Sequence, residues 1–167
     1  MTVESNPAVT GLMPDNFGPW GRHRVVKVTI PFTSATWNTV ATHEVFTVTG
    51  VVRAMCIFHV TSSLTSGGAA TISFGLQTAG TSYAAAQTYT NLTTGNMVSP
   101  GGTVTTGIRT YTFLLHQTNN ADLVISEDDI GYAIASAALT GGTIDAYCFW
   151  APVSEGGLVV AGAGGAL

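Results

Sequence analysis

Charge is what this chain has least of. Only 8% of its 167 residues are Asp, Glu, Lys or Arg, against about 25% in an average soluble domain. A surface so poor in solubilising charge is expected to be covered in part by something else, either further copies of the chain or the wall of a larger particle. Cations are the scarcest of all: five Lys and Arg stand against nine Asp and Glu, for a net charge of −4. Phosphate binding draws on Lys and Arg, so no nucleic-acid partner is expected.

Long apolar runs are missing too. The longest weakly apolar stretch, Gly156 to Leu167 (GGLVVAGAGGAL), has 12 residues, whereas a spanning helix needs about 20. No membrane partner is expected from it. The opening MTVESNPAVTGLMP lacks a basic region, and Glu4 and Pro7 interrupt its apolar residues. It therefore does not read as a secretory signal, and the expectation is a protein made and used without export by that route. With two cysteines, Cys56 and Cys148, neither a zinc site nor a redox CxxC motif can be built. Both sit inside apolar runs (AMCIF and AYCFW). Two readings stay open, a pair of buried inert thiols or a disulfide joining two strands.

What is present instead is Thr, Ala, Val and Gly, at 46% hydrophobic residues overall. That content is too apolar for a disordered chain, and the length suits one domain able to bury a core. Residues 1–23 carry three prolines and scattered apolar side chains. They read as an extended arm, because Pro interrupts helices and central strands. From Arg24 onward the apolar period is two. In RVVKVTIPF, Val26, Val28, Ile30 and Phe32 share one face, and Val25, Lys27 and Thr29 the other. HEVFTVTG repeats the pattern with Phe46 and Val48 inward and Thr47 and Thr49 outward. VVRAMCIFHV is apolar on both faces, as a central strand covered on both sides would be. ATISFGL, RTYTFLLHQ, ADLVISE, IGYAIASA and TIDAYCFWAPV read as further strands.

Turn residues separate these runs at Thr65–Gly68, Thr118–Ala121, Asp128–Gly131 and Thr140–Gly142. Thr93 to Gly107 is the longest predicted loop, with a sharp reversal at Pro100-Gly101-Gly102. The one helical expectation is a turn or two over Thr81–Thr88 (TSYAAAQT). The predicted fold is therefore all-β: an antiparallel β-sandwich, jelly-roll-like, of about eight strands with little or no helix. The predicted organisation is an arm over 1–23, a β-sandwich domain over 24–155 and a Gly/Ala-rich tail over 156–167.

Catalytic and metal-binding patterns are sparse. Glu127-Asp128-Asp129, with Asp122 nearby, is the densest charge, but three adjacent acids fan outward and lack the alternating spacing of a Ca²⁺ loop. The reading is a solvated acidic turn. His23, His43, His59 and His116 are single. His43 and Glu44 are strand neighbours and point to opposite faces; convergence of His59 with His116 needs tertiary structure. Ser and Thr are plentiful without a GxSxG elbow, and Asp145 with Glu44 would make a glycosidase pair only by assumption. The Asn91-Leu92-Thr93 sequon has no meaning without export. The expectation is no enzyme, no cofactor and no metal.

Two stretches carry a resemblance. FTVTGVVRAMCIFHVTSSLTSGGAATISFGLQTAGTSYAAAQ alternates strands with Thr/Ser/Gly turns, and GGTIDAYCFWAPVSEGGLVVAGAG ends in a Pro-x-Ser-x-x-Gly exit. Together they cover under half of the chain, and they are similar to small structural proteins of tailed bacteriophages, in particular capsid decoration (cement) proteins. The resemblance implies a homotrimer on the outer capsid surface of the virion, synthesised in the host cytoplasm and clamping neighbouring major capsid protein subunits. Such proteins have no residue-level motif to carry over. Composition makes Met13, Phe17 and Trp20 the candidate partner-binding residues, because interface anchors favour large aromatics and Met. Two alternatives remain: a carbohydrate- or receptor-binding tail-fibre module with Tyr83, Gln87, Tyr89 and Asn91 as its platform, and a head-completion or tail-tube component.

Overall fold

A computed structural model describes residues 24–78, 83–98, 104–105 and 123–164. These residues form mostly antiparallel β-sheet, in two sheets with almost no helix. The strands are β1 (Arg24–Pro31), β2 (Thr42–Thr49), β3 (Val51–Ser66), β4 (Thr71–Leu76), β5 (Ala84–Thr88), β6 (Met97–Val98), β7 (Val104–Thr105), β8 (Leu123–Ser126), β9 (Ile130–Ala135), β10 (Leu139–Pro152) and β11 (Leu158–Ala161). The first sheet has the order β1-β10-β3-β6-β7, with β8 also paired to β3. The second has the order β11-β2-β9-β4-β5.

The period-two pattern holds in β1 and in the second half of β2, and a register shift between Glu44 and Phe46 buries Val45 beside Phe46. Val28, Ile30 and Phe32 are buried, as are Phe46 and Val48. β3 is central in its sheet, between β10 on one side and β6 and β8 on the other. Its burial nevertheless alternates. Val52, Ala54, Cys56, Phe58 and Val60 are buried, while Val51, Arg53, Met55, Ile57 and His59 are half-buried. The inward side chains of both sheets merge into one core. Phe58 of the first sheet and Phe74 of the second lie 4.4 Å apart by ring centroid. Tyr132 on β9 meets Phe32 edge-on at 5.6 Å, a preferred aromatic geometry.

Four local expectations change. Ala84–Thr88 forms edge strand β5, paired with β4, in place of a helical turn. Three alanines in so short a segment cannot nucleate a helix against ladder pairing on a ready sheet edge. Helix appears instead at α1 (Ala35–Asn38), where the Ser34 hydroxyl accepts from the Thr36 N–H at 3.4 Å. The Thr140–Gly142 turn is a bulged part of β10, with register shifts around Gly141 and Thr143. Gly142 has φ 102° there, and a Cβ would lie 2.6 Å from the Ser63 carbonyl oxygen, so only glycine fits. Within the predicted tail, Leu158–Ala161 is β11, paired antiparallel to β2, so the paired chain continues to Ala161.

The predicted strand over 109–117, the turn at 118–121 and the Pro100-Gly101-Gly102 reversal lie outside the described residues. The flanking strands β6 and β7 pair antiparallel, within what reads from sequence as one long loop.

Candidate functional site

The two sheets expose outward faces of different chemistry. On the first, the register builds cross-strand rows. Val25 of β1, Phe149 of β10 and Met55 of β3 form one row, Lys27, Tyr147 and Ile57 the next, and Thr29, Asp145 and His59 the third. Met97 of β6 extends the third row beyond His59. The side chains Phe149, Met55, Tyr147, Ile57, His59 and Met97 are half-buried, whereas Val25 is 54% exposed. Opposed pairs of this kind sit close enough to interact across the strands.

Asp145 is the polar centre of this face. Lys27 Nζ lies 2.7 Å from its Oδ2, the Thr29 hydroxyl donates to its Oδ1 at 2.7 Å, and the Tyr147 hydroxyl donates to its Oδ2 at 3.5 Å. The Lys27 ammonium also sits 5.5 Å from the centre of the Tyr147 ring, within cation–π range. Burial by itself would raise the Asp145 pKa. The hydrogen bonds from Lys27 and Thr29, with the charges of Lys27 and His59, outweigh it and hold the carboxyl below its ordinary value. The hydrogen bond to Asp145 raises Lys27, against desolvation. A carboxylate engaged by three donors and held ionised is a fixed ion-pair anchor. It is poorly placed to take up a proton, as a general base with a pKa near neutrality does.

The second sheet faces outward with Glu44, Thr47 and Thr49 of β2, Ala133 and Ala135 of β9, Thr71 of β4 and Leu158 and Val160 of β11, while Ser73 of β4 on the same side is buried. Glu44 is the one charged side chain on its strands among the described residues, and it accepts a hydrogen bond from the Thr47 hydroxyl. Leu158 and Val160 are 40% and 42% exposed. At the far end of the first sheet, hydroxyls pair with each other: Ser63 with Thr94 at 3.1 Å and Thr65 with Thr140 at 3.1 Å. These bonds supply surface polarity where Thr61 to Ile108 has no charged residue at all.

Several residues singled out in the sequence find other roles. The acidic run at the end of β8 ties strands together. The Asp129 carboxylate accepts the Val48 N–H at 2.7 Å, and Asp128 accepts from the N–H and hydroxyl of Thr78. No group of three His, Cys, Asp or Glu with metal-holding geometry occurs among the described residues. Asp145 and Glu44 lie on different sheets, so they do not pair. His43 is fully buried and stacks on Tyr132 at 4.9 Å, with its Nε2 2.8 Å from the Thr39 carbonyl. Of the tail-fibre platform, Tyr83 is 2% exposed, so its ring is not open to a glycan, and Tyr89 is half-buried against the core.

Met13, Phe17 and Trp20, like His23, His116 and Asp122, lie outside the described residues. The Lys27–Asp145 centre was missed in sequence because period two shows that both residues face outward but not that they are opposed. Only the β1–β10 register brings them together. No family model, no curated protein and no solved structure matches this chain.

Proposed function

We propose that this chain is a non-enzymatic virion structural protein that binds the outside of a phage capsid as a homo-oligomer, a trimer in the simplest case, and stabilises the shell. Its body is read as a β-sandwich of the jelly-roll kind. The strand orders β1-β10-β3-β6 and β2-β9-β4-β5 support that reading, as do chain connections that pass from one sheet to the other between β1 and β2, β2 and β3, β3 and β4, β5 and β6, β8 and β9, and β9 and β10.

The observation that carries the functional reading is the outward face of the second sheet, made of Thr, Ala, Leu and Val with Glu44 as its one charge among the described residues. A lone soluble domain keeps roughly a quarter or more of its surface charged. A hydroxyl-rich sheet face with so little charge suits close seams between subunits in a particle. There, apolar burial contributes about 25 cal/mol per Å², less the cost of ordering the partners. Met13, Phe17 and Trp20 in the 1–23 arm are the anchors assigned to the major capsid protein or a sister subunit.

The test is binding to isolated capsids. The full chain is expected to scatter light as a stable oligomer and to saturate capsids at a fixed stoichiometry. Deleting residues 1–20 is expected to weaken that binding by more than about tenfold, the scale of losing hot-spot anchors, with little change in melting temperature. A monomer that ignores capsids yet binds a glycan array overturns the reading.

A further inference from the structure

We propose that Cys56 and Cys148 form a cross-strand dithiol built to close into a disulfide between β3 and β10, at the centre of the first sheet. The two residues are direct partners in the antiparallel register. Both are free and both are fully buried on the inward face. Directly opposed residues in an antiparallel pair have Cα atoms about 4.5–5.5 Å apart, inside the range of about 4.4–6.8 Å that a disulfide spans. The two thiols are within hydrogen-bonding reach of each other.

Burial sets the kinetics. It pushes the Cys56 thiol well above its ordinary pKa, and its hydrogen bond with Cys148 adds to that. The thiolate is the reactive species, so the closed native sheet is expected to react slowly and a transiently opened one quickly. With a small disulfide such as oxidised glutathione, one protein thiolate attacks a glutathione sulfur and expels one glutathione thiolate. The second protein thiolate then attacks the mixed disulfide and expels the other. The protein loses two protons and two electrons, and two reduced glutathiones form. The product closes a loop of about 90 residues, long enough for a large loss of unfolded-chain entropy.

The experiment uses the full chain in oxidised glutathione, with and without urea below the unfolding midpoint. It is then quenched in denaturant with N-ethylmaleimide and weighed intact. The expected result is a monomer that takes up no maleimide, formed at least about tenfold faster in sub-denaturing urea, and melting roughly 5–15 °C higher than the dithiol. Cys56→Ala and Cys148→Ala, assayed separately, are each expected to take up one maleimide and to show no such rise. Two maleimides on the oxidised wild type, a persistent mixed disulfide with glutathione, a disulfide-linked dimer or a lowered melting temperature would each overturn the proposal.

Discussion

The two sheets bury the same kind of side chain inward and show water different things. Arg24, Lys27 and Arg53, the cations among the described residues, all belong to strands of the first sheet: Lys27 and Arg53 share the outward face with Phe149, Tyr147, Met55 and Ile57, and Arg24 lies at the end of β1 in the inward row, over the Trp150 ring. The second sheet offers Thr and Ala, with Glu44 as its charge. Among the described residues, the cations therefore stand on strands of the first sheet alone, and the second sheet relies on hydroxyls and one carboxylate. The difference extends to the backbone. Long outward side chains on the first sheet lie over their neighbours. On the second sheet the strands approach so closely that Gly131 of β9 has no room for a Cβ beside the His43 carbonyl of β2.

That close approach gives the largest expected effect. Gly131→Ala drives a methyl into backbone that cannot step aside, in a strand flanked by β2 and β4. The expected loss is roughly 3–5 kcal/mol, at the upper end for single substitutions. Urea unfolding, or loss of soluble protein, measures it. The matching change in the first sheet is Gly142→Ala at the bulge of β10, where φ is 102° and Leu64 Cα lies 2.7 Å from the added carbon. Its nearest backbone atom, the Ser63 carbonyl oxygen at 2.6 Å, is farther away than the 1.9 Å that a Cβ at Gly131 would meet, so a smaller loss of about 1–3 kcal/mol is expected. If Gly142→Ala costs more than Gly131→Ala, the second sheet is not the tighter of the two.

Both glycines show what sequence reading reaches. Their spacing reads as turn chemistry, and one lies inside a strand and the other at a bulge. A glycine required by a neighbouring backbone looks the same in sequence as one required by a turn. The alternation in β1 and in the second half of β2 was legible because one face of each must be buried. The length of β3 was not, because the apolar run ends at Val60 and Thr65–Gly68 reads as a turn until Thr65 finds Thr140 across the ladder. Of the outward surface, the identity of each residue was legible and its neighbours were not. Strand period assigns a face, while register depends on the whole sheet.

A smaller effect on stability tests which face is used. Phe149→Ser on the first sheet and Ala133→Arg on the second both change half-buried outward positions, so each is expected to cost no more than about 1 kcal/mol. If the second sheet forms the subunit seam, Ala133→Arg should abolish saturation of capsids while Phe149→Ser leaves it intact. The reverse outcome moves the seam to the aromatic face, and equal retention removes both faces from the interface.

The smallest effect belongs to the ion pair on the first sheet. Lys27 is 47% exposed and Asp145 14%, so solvent screens the attraction and its contribution is modest. Its pH dependence has a definite sign. Asp145 sits below its ordinary 3.8 in the folded protein, so its contribution is present above that value and is lost as pH falls through the lowered folded value. Lys27 sits above its ordinary 10.5, so its contribution is complete below that value and is lost as pH rises beyond it. Between those limits the pair adds a constant amount. The melting-temperature gap between wild type and Asp145→Asn is therefore expected to close below about pH 4. It should also shrink in molar salt without vanishing, because Thr29 and Tyr147 donate to the carboxylate independently of Lys27. A gap that widens on acidification would mean that Asp145 is stabilised in its protonated form, and the first sheet would then hold a buried carboxylic acid where the geometry shows an ion pair.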